Sequence, residues 1–485
     1  MVIMSSTPIT LATSATDVSG KPSALLNGSD LKATVEITES GWAVKGSEKL
    51  AYSFVKVDEI FSLSNTHLSA VYELWGRCLL VTDQIVWGFY KERVETYFNH
   101  YQIPLTIKIM PGGELHKTMD TMLSLIDAFN KFGLVRKEPV LVLGGGLVTD
   151  VCGYACASYR RSSNFIRIPT TLIGLIDASV SIKVAVNHGK LKNRLGAYHA
   201  PLITYLDFTS LKTLPIDQVR NGFAELMKIS AVGDIRIWSL LVKYGVELIE
   251  TKFGRLEIDS ENSDQIRAIA DEVCERGIKL MLDLETPNLH EIGLDRVIAF
   301  GHTWSPTLEL RPKLPLRHGH AIAIDMAYSA TLAWSRSYIT ETDRDEVLDL
   351  FHAVGLSVDH DLFDDDLIEK GTVAILKTRD GKQRFAVPKP LGTPFFINDA
   401  SMDELKDVLK KHKALVKEKY GSGVGIGAYV DAGDLGEDPE EYGHRTEYVK
   451  KEPNGHYDLD QSSCLASSVS LPKTNGHPVS VSDKE

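Results

Sequence analysis

The stretch that most constrains this chain is Leu143-Gly144-Gly145-Gly146-Leu147-Val148-Thr149-Asp150. Before it, Pro139-Val140-Leu141-Val142-Leu143 has no polar alternation and reads as a strand buried on both faces of a parallel sheet. After it, Val151-Cys152-Gly153-Tyr154-Ala155-Cys156-Ala157 suits a tightly packed helix. Strand, glycine turn and helix N-terminus together make an anion site. Glycine lets the backbone come close, and the first helical N–H groups and the positive dipole end face the ligand. Three consecutive glycines are not the GxGxxG dinucleotide fingerprint. From this stretch alone, nucleotide binding and the simple closing of a βα unit both stay open.

The neighbouring pattern extends the same plan. Tyr52–Val57, Leu79–Thr82, Leu105–Ile109, Phe165–Ile168 and Leu202–Leu206 read as strands, with Met119, Met122, Ile126 and Phe129 at helical spacing between two of them. Strands alternating with helices predict a Rossmann-like α/β domain over residues 34–215, with ligands at the carboxyl ends of the strands. From residue 216 to 420 amphipathic helices dominate, which predicts a mainly α-helical second domain, with a hairpin signal at Thr378–Lys382. Residues 1–33 are small and polar, and residues 421–485 are rich in Gly, Ser, Asp and Glu; both are expected to be disordered.

Composition narrows the function. A net charge of −12 without a basic stripe argues against a nucleic-acid partner. No apolar run reaches membrane-spanning length, and the N-terminal segment has no apolar signal core. Cys78, Cys152, Cys156, Cys274 and Cys464 are scattered and form no CxxC pair, so a reducing, cytoplasmic setting is expected.

Polar residues at the strand ends are the first candidates. Asp83 could accept ribose hydroxyls, Glu114 and Lys117 could line the same crevice, and Thr170 and Thr171 could offer hydroxyls; each alone also reads as a cap or a solvated turn. In the helical part, Glu225 and Lys228 share a helix face, and His302, His318 and His320 sit beside glycines. A carboxylate with two imidazoles suits catalytic zinc, although the spacing matches no compact motif. The run Asp177, Lys183, Asn187, His188, Lys190, Lys192, Asn193 and Arg194 could hold a phosphorylated substrate, or be a solvated basic loop.

Four segments resemble the dehydroquinate synthase superfamily of sugar phosphate cyclases: GGGLVTD (144–150), IPTTLIGLIDASVSIKVAVNHGKLKN (168–193), LKTLPIDQVRNGFAELMK (211–228), and FGHTWSP with RHGHA (300–321). The likeness runs from about residue 50 to 415. It implies a homodimer that uses NAD and Zn²⁺, with Co²⁺ as a substitute metal. It implies the metal ligands Glu225, His302 and His318. It implies NAD contacts from Asp83, Glu114, Lys117, Gly145, Gly146, Asp150, Thr170, Thr171, Asp177, Lys192 and Thr213. Lys183, Asn193 and Lys228 would face the substrate, and Arg161, or equally Arg160, would reach the phosphate in a neighbouring subunit.

The departures from that family bear on the substrate. Dehydroquinate synthases carry arginine, asparagine and histidine where this chain has Asp295, Ala299 and Pro306, and a lysine that falls on Met281 or on Lys279. Arginine and lysine would bind a heptulosonate carboxylate as paired donors, whereas Asp295 would repel it and accept hydroxyls. Sedoheptulose 7-phosphate is the substrate that fits. The run PNLHEIGLDRVIAFGHTWSPTLEL (287–310) looks most like the gadusol-forming branch of mycosporine biosynthesis, with the valiolone-forming branch as the alternative. A metal-dependent alcohol or glycerol dehydrogenase and a non-catalytic nucleotide-binding protein are remoter readings. Whether Lys377 or Arg379 reaches the phosphate stays open.

Overall fold

A computed structural model of the chain describes residues 30–189, 191–256 and 262–435. Its first part holds strands β1 (Asp30–Thr38), β2 (Gly41–Lys49), β3 (Ser53–Val57), β4 (Cys78–Asp83), β5 (Leu105–Met110), β6 (Val140–Gly144), β7 (Phe165–Pro169), β8 (Lys183–His188), β9 (Leu191–Tyr198) and β10 (Ile203–Asp207). Helices α1 (His67–Tyr72), α2 (Gln84–His100), α3 (Met119–Phe132) and α4 (Gly146–Ser158) lie between them.

Six strands form a parallel sheet in the order β3-β10-β7-β6-β4-β5. The chain leaves β4 toward β5 on one side and returns as β6 on the other, so the strand order reverses between β4 and β6. Asp83 and Gly144 end those two strands, which puts both at the crevice where such sheets bind ligands. Every residue of β4, β6 and β7 is buried. Alternate residues serve opposite faces: Leu80, Leu141 and Ile166 pack into one core, Leu79, Val140 and Val142 into the other. This is why these strands read as unbroken apolar runs. The β8–β9 hairpin packs on α4.

The second part contains α5 (Ile216–Gly233), α6 (Ile235–Glu250), α7 (Ser263–Glu285), α8 (Ser305–Leu308), α9 (His318–Ser335), α10 (Glu341–Ala353), α11 (Asp365–Thr378), α12 (Met402–Tyr420) and α13 (Ala432–Leu435). A small hairpin, β11 (Phe385–Pro388) with β12 (Pro394–Ile397), lies between α11 and α12. α5 and α9 pack together and are buried on all sides, α5 from Val219 to Val232 and α9 from Gly319 to Ala333. A helix buried all round can carry polar groups only where they are paired. Those on α5 and α9 are therefore site candidates. The alternation of α/β and helical parts is as expected, but one hydrophobic cluster runs through both, from Leu172, Leu175 and Phe208 to Phe223, Met227 and Tyr328. The boundary at 215/216 divides element types without dividing the core.

Three sequence expectations need correction. Thr378–Lys382 is the end of α11 and its exit turn, and the hairpin turns later, between Pro388 and Pro394. The N-terminal chain is extended from Asp30, inside the segment expected to be disordered; residues 1–29 lie outside the described residues. The C-terminal chain stays packed beyond 421. Val430 N–H donates to Pro315 at 2.9 Å and Arg317 N–H to Ala428 at 2.8 Å, and residues 436–485 lie outside the described residues. The glycines that suggested flexibility there serve close packing. A Cβ on Gly425 would lie 2.3 Å from the Gly355 carbonyl oxygen, and Gly427 has φ +64°.

Candidate active site

The glycine turn is built so that no side chain covers the start of α4. A Cβ on Gly144 would sit 2.7 Å from Val148 Cβ, and one on Gly145 would sit 3.0 Å from Thr171 Cγ2. Gly145 is the N-cap and has no side chain to bond the first N–H groups, which leaves them for a ligand. Across the crevice, Asp83 caps α2 through Oδ1, which accepts from Ile85 and Val86 N–H at 2.8 and 2.9 Å. Burial raises its pKa against those two bonds. Lys117 Nζ lies 2.6 Å from Asp150 Oδ2 and 2.7 Å from Asn193 Oδ1, joining the glycine helix to the β8–β9 hairpin. Glu114 accepts from Asn187 at 2.8 Å. Thr171 Oγ1 accepts from Gly174 N–H, and Thr213 bonds the Ser210 carbonyl and lies 3.4 Å from Tyr90 Oη.

The metal candidates do converge. Ligand atoms of Glu225, His302 and His318 all lie within 4.8 Å of one another. His302 Nδ1 donates to the Phe300 carbonyl at 3.1 Å, which leaves Nε2 as its free lone pair. Burial, then Lys228, push its pKa down to about 3, so the imidazole is neutral, as a ligand must be. His318 stands between two carboxylates, with Nε2 3.1 Å from Glu225 Oε1 and Nδ1 3.2 Å from Glu309 Oε2. Burial opposes its protonation, but Glu309 and Glu225 overcome it and raise the pKa to about 10. Glu225 Oε2 is buried without a well-directed hydrogen bond. These donors fit a divalent cation: it would take the place of the His318 proton, and Glu309 would orient the ring from behind, as second-sphere carboxylates do. His320, the third histidine noted in the sequence, is not a ligand. It is buried against Ser357, with Nδ1 2.9 Å from the hydroxyl.

The same residues belong to a chain of alternating charge. Lys192 Nζ lies 2.5 Å from Glu309, which holds His318, which meets Glu225. Lys228 Nζ then lies 2.6 Å from Glu225 and 2.9 Å from Asp177. Burial raises the Asp177 carboxyl, whereas Lys228 and the histidines keep Glu225 well below the usual range despite its burial. Asp177 and Lys192, expected at NAD, also pair with residues around the candidate ligands, Lys228 and Glu309, and Lys192 lies 3.7 Å from Glu114 as well.

Beside it is a cavity of about 100 Å³ lined by Lys183, Glu285, Glu291, Asp295 and Arg296. Lys183 Nζ lies 3.2 Å from Glu285 and 3.1 Å from Glu291, and Arg296 is 2.6 Å from Glu291. Asp295 forms an ion pair with Arg384 and its side chain is 56% exposed. Glu285, which is nearly buried, and Glu291 line the same cavity as Asp295 and add their carboxylate oxygens to it. Met281 is fully buried and Lys279 points to solvent, paired with Asp283, so neither supplies a lysine here. Arg379 reaches the site wall, with Nη2 3.4 Å from the His302 carbonyl, whereas Lys377 is exposed. Arg160 and Arg161 are exposed at the far end of α4, roughly 18 Å from its glycine end at 1.5 Å per residue.

Sequence reading missed Glu309, Glu285, Glu291 and Asp325. A signal existed for Glu309, an acid seven residues after His302 in the same segment. Asp325 is fully buried on α9, and its Oδ2 accepts N–H bonds from Thr303, Trp304 and Ser305, fixing the turn after His302. Burial raises its pKa to about 6 despite those bonds. A raised carboxyl pKa contributes stability below the unfolded value, near 4, and loses it as pH climbs through 6. Asp325→Asn keeps the acceptor and can donate to Ser329, so it should be more stable than the parent at pH 8, by on the order of 3 kcal/mol, and equal to it near pH 4. Urea melts at both pH values check this; no pH dependence in the difference would contradict it.

Residues 107–221 match the family described as 3-dehydroquinate synthase N-terminal, and residues 222–383 its C-terminal counterpart. The chain is 52% identical over 399 residues to a demethyl-4-deoxygadusol synthase from Trichormus variabilis, covering 82% of this chain and 96% of that one. It is 37% identical over 370 residues to a 2-epi-5-epi-valiolone synthase from an Actinoplanes species, covering 75% and 91%. Among solved structures, a 2-epi-5-epi-valiolone synthase from Streptomyces hygroscopicus subsp. jinggangensis with NAD⁺ and Zn²⁺ bound superposes with a TM-score of 0.71 at 34% identity, covering 77% of this chain and 100% of that one. A glycerol dehydrogenase from Schizosaccharomyces pombe, at 12% identity and a TM-score of 0.54 over 76% and 91%, shares the fold alone.

Proposed function

We propose that this chain, which belongs to the 3-dehydroquinate synthase family of sugar phosphate cyclases, converts sedoheptulose 7-phosphate to 2-demethyl-4-deoxygadusol with loss of phosphate and water, as the first step of mycosporine-type sunscreen biosynthesis. The observation that carries the substrate class is the cavity beside the metal ligands. Its Lys183 is held by Glu285 and Glu291, its Arg296 by Glu291, and Arg384 at its rim by Asp295. A heptulosonate carboxylate needs uncommitted paired donors. Here each cation already has its acid, and the acids offer acceptors to sugar hydroxyls. The choice of product follows the 52% identity to a demethyl-4-deoxygadusol synthase against 37% and 34% to two valiolone synthases.

NAD would lie on the α4 N-terminus, flanked by Asp83, Glu114, Lys117, Asp150, Thr170 and Thr171; Zn²⁺, or Co²⁺ in its place, would be held by Glu225, His302 and His318. When bound, the two supply a reversible hydride acceptor and a Lewis acid for a ring hydroxyl. The protein's own part is electrostatic. Lys228 and Lys183 bring positive charge to where oxyanions develop, and their acid partners fix the ammonium groups in place. Asn193 would meet the substrate from the β8–β9 hairpin, where Lys117 holds it, and Asp295 from the cavity wall. A homodimer would bring Arg161 to the partner site. No helix among the described residues is long and apolar enough to cross a membrane, and Cys78, Cys152, Cys156 and Cys274 are free thiols, which supports a cytoplasmic enzyme.

The test is mass spectrometry of the product from sedoheptulose 7-phosphate, NAD⁺ and Zn²⁺. A mass equal to the sugar phosphate less phosphate and water, with strong ultraviolet absorbance and no net NADH, is expected. A product heavier by one water, without that absorbance, would make the chain a valiolone synthase. NADH accumulation with simple polyols would make it a dehydrogenase.

A further inference from the structure

Asp434, in the C-terminal segment after α12, bonds to the two helices that present Glu225 and His318. Its Oδ2 accepts from Arg317 Nε at 2.8 Å, and Arg317 immediately precedes His318. Its Oδ1 accepts from the side-chain amide of Gln218 on α5. Gln218 Oε1 in turn accepts from Asn221 Nδ2 at 3.1 Å, and Asn221 Oδ1 accepts the N–H of Gly319, which immediately follows His318. Asn221 lies one helical turn before Glu225. Two paths from one carboxylate therefore meet on either side of His318 and run along the helix that presents Glu225.

The surrounding packing leaves little slack in either path. A Cβ on Gly319 would lie 2.4 Å from the Asn221 carbonyl oxygen, so only glycine allows this approach. The Arg317 side chain is 4% exposed. Its guanidinium is satisfied from the same segment, by Gly427 O at 2.7 Å and Asp431 at 2.6 Å, with Asp217 at 3.4 Å. A buried guanidinium without such partners would be costly, so the segment and the start of α9 hold one another. At its end, α13 packs on the Glu114–His116 turn of the cofactor crevice, and a Cβ on Gly433 would lie 3.5 Å from Ile85 beside Asp83.

We propose that Asp434 is a positioning residue of the metal centre and that residues 421–435 are a strap that holds His318 against Glu225. The inference rests on the metal reading given above. The strap acts through Arg317, Gln218 and Asn221 and touches no substrate. It follows that the segment whose composition suggests a dispensable tail is required for a tight metal site.

The test compares the full chain with Asp434→Ala, Gln218→Ala and His302→Ala. Zinc affinity is read by competition with a chromophoric chelator, and ligand geometry by the visible spectrum of the Co²⁺-loaded proteins. Asp434→Ala and Gln218→Ala should each weaken zinc binding roughly 10-fold or more and change the cobalt spectrum. Excess zinc should restore turnover, which a general loss of structure would not allow. Should Asp434→Ala fail to fold, Gln218→Ala, which leaves the Arg317 ion pairs intact, still decides the matter. Zinc affinity and cobalt spectra like the parent's in the variants that fold, with binding abolished in His302→Ala, would overturn the strap proposal alone. Unchanged binding in His302→Ala would overturn the metal reading and the proposal with it.

Discussion

Alanine at His302 is expected to remove zinc and turnover together. The Nδ1 of His302 is committed to the Phe300 carbonyl, so Nε2 is the only lone pair it can offer, and burial keeps it unprotonated. Without this ring, Glu225 and His318 remain 3.1 Å apart and satisfy one another as an ion pair, with Glu309 holding the other side of the imidazole. A two-ligand remnant that prefers a proton would compete poorly for a cation. Activity should fall by on the order of 10³-fold or more, since a Lewis acid supplies several kcal/mol of charge stabilisation. Metal content by atomic absorption and product formation are measured on the same sample. A fully zinc-loaded, active variant would sink the ligand assignment.

The parts of this site that were legible in the sequence are those where one residue type is forced by geometry. The glycine turn is such a case: Gly144 tolerates no Cβ beside Val148, and the buried strands on either side of it show as unbroken apolar runs. Asp83 was legible as a strand-end acid, because strand ends at a reversal of strand order line the crevice. What was not legible is pairing through space. Asp177 was read as a cofactor contact, and its pairing with Lys228, 51 positions away on the central helix, had no sign in the sequence. Glu309 looks like any surface acid until His318 is placed 3.2 Å from it. Asp295 was singled out as the hydroxyl acceptor, yet the ion pair with Arg384 uses part of its charge, and Glu285 on α7 is the better-buried acid. Composition misled most at the C-terminus, where glycine and aspartate usually mean solvated chain. Here Gly425 and Gly427 permit close contact, and Asp434 neutralises a buried arginine.

Lys228→Met is the second change with a large expected effect, because the ammonium group stands between two buried carboxylates. Nζ lies 2.6 Å from Glu225 and 2.9 Å from Asp177, and Lys228 is only 3% exposed. Methionine fills a similar volume but leaves Asp177 without its cation and Glu225 with His318 alone, a loss of about 3–5 kcal/mol for a broken buried pair. Zinc held by Glu225, His302 and His318 would neutralise Glu225 independently of the lysine. The penalty should therefore be larger in metal-free protein than in zinc-loaded protein, and added zinc should raise the variant's melting temperature more than the parent's. Turnover should fall about 10²–10³-fold even when the variant is folded and zinc-loaded, since a donor aimed at developing negative charge is gone. The double variant Lys228→Met with Asp177→Asn separates the two roles. Removing the second stranded charge should recover much of the stability, while turnover stays low. If stability and turnover recover together, Lys228 serves only to neutralise Asp177. If the single variant melts like the parent without metal, the charge chain from Lys192 to Asp177 is not what holds this site together.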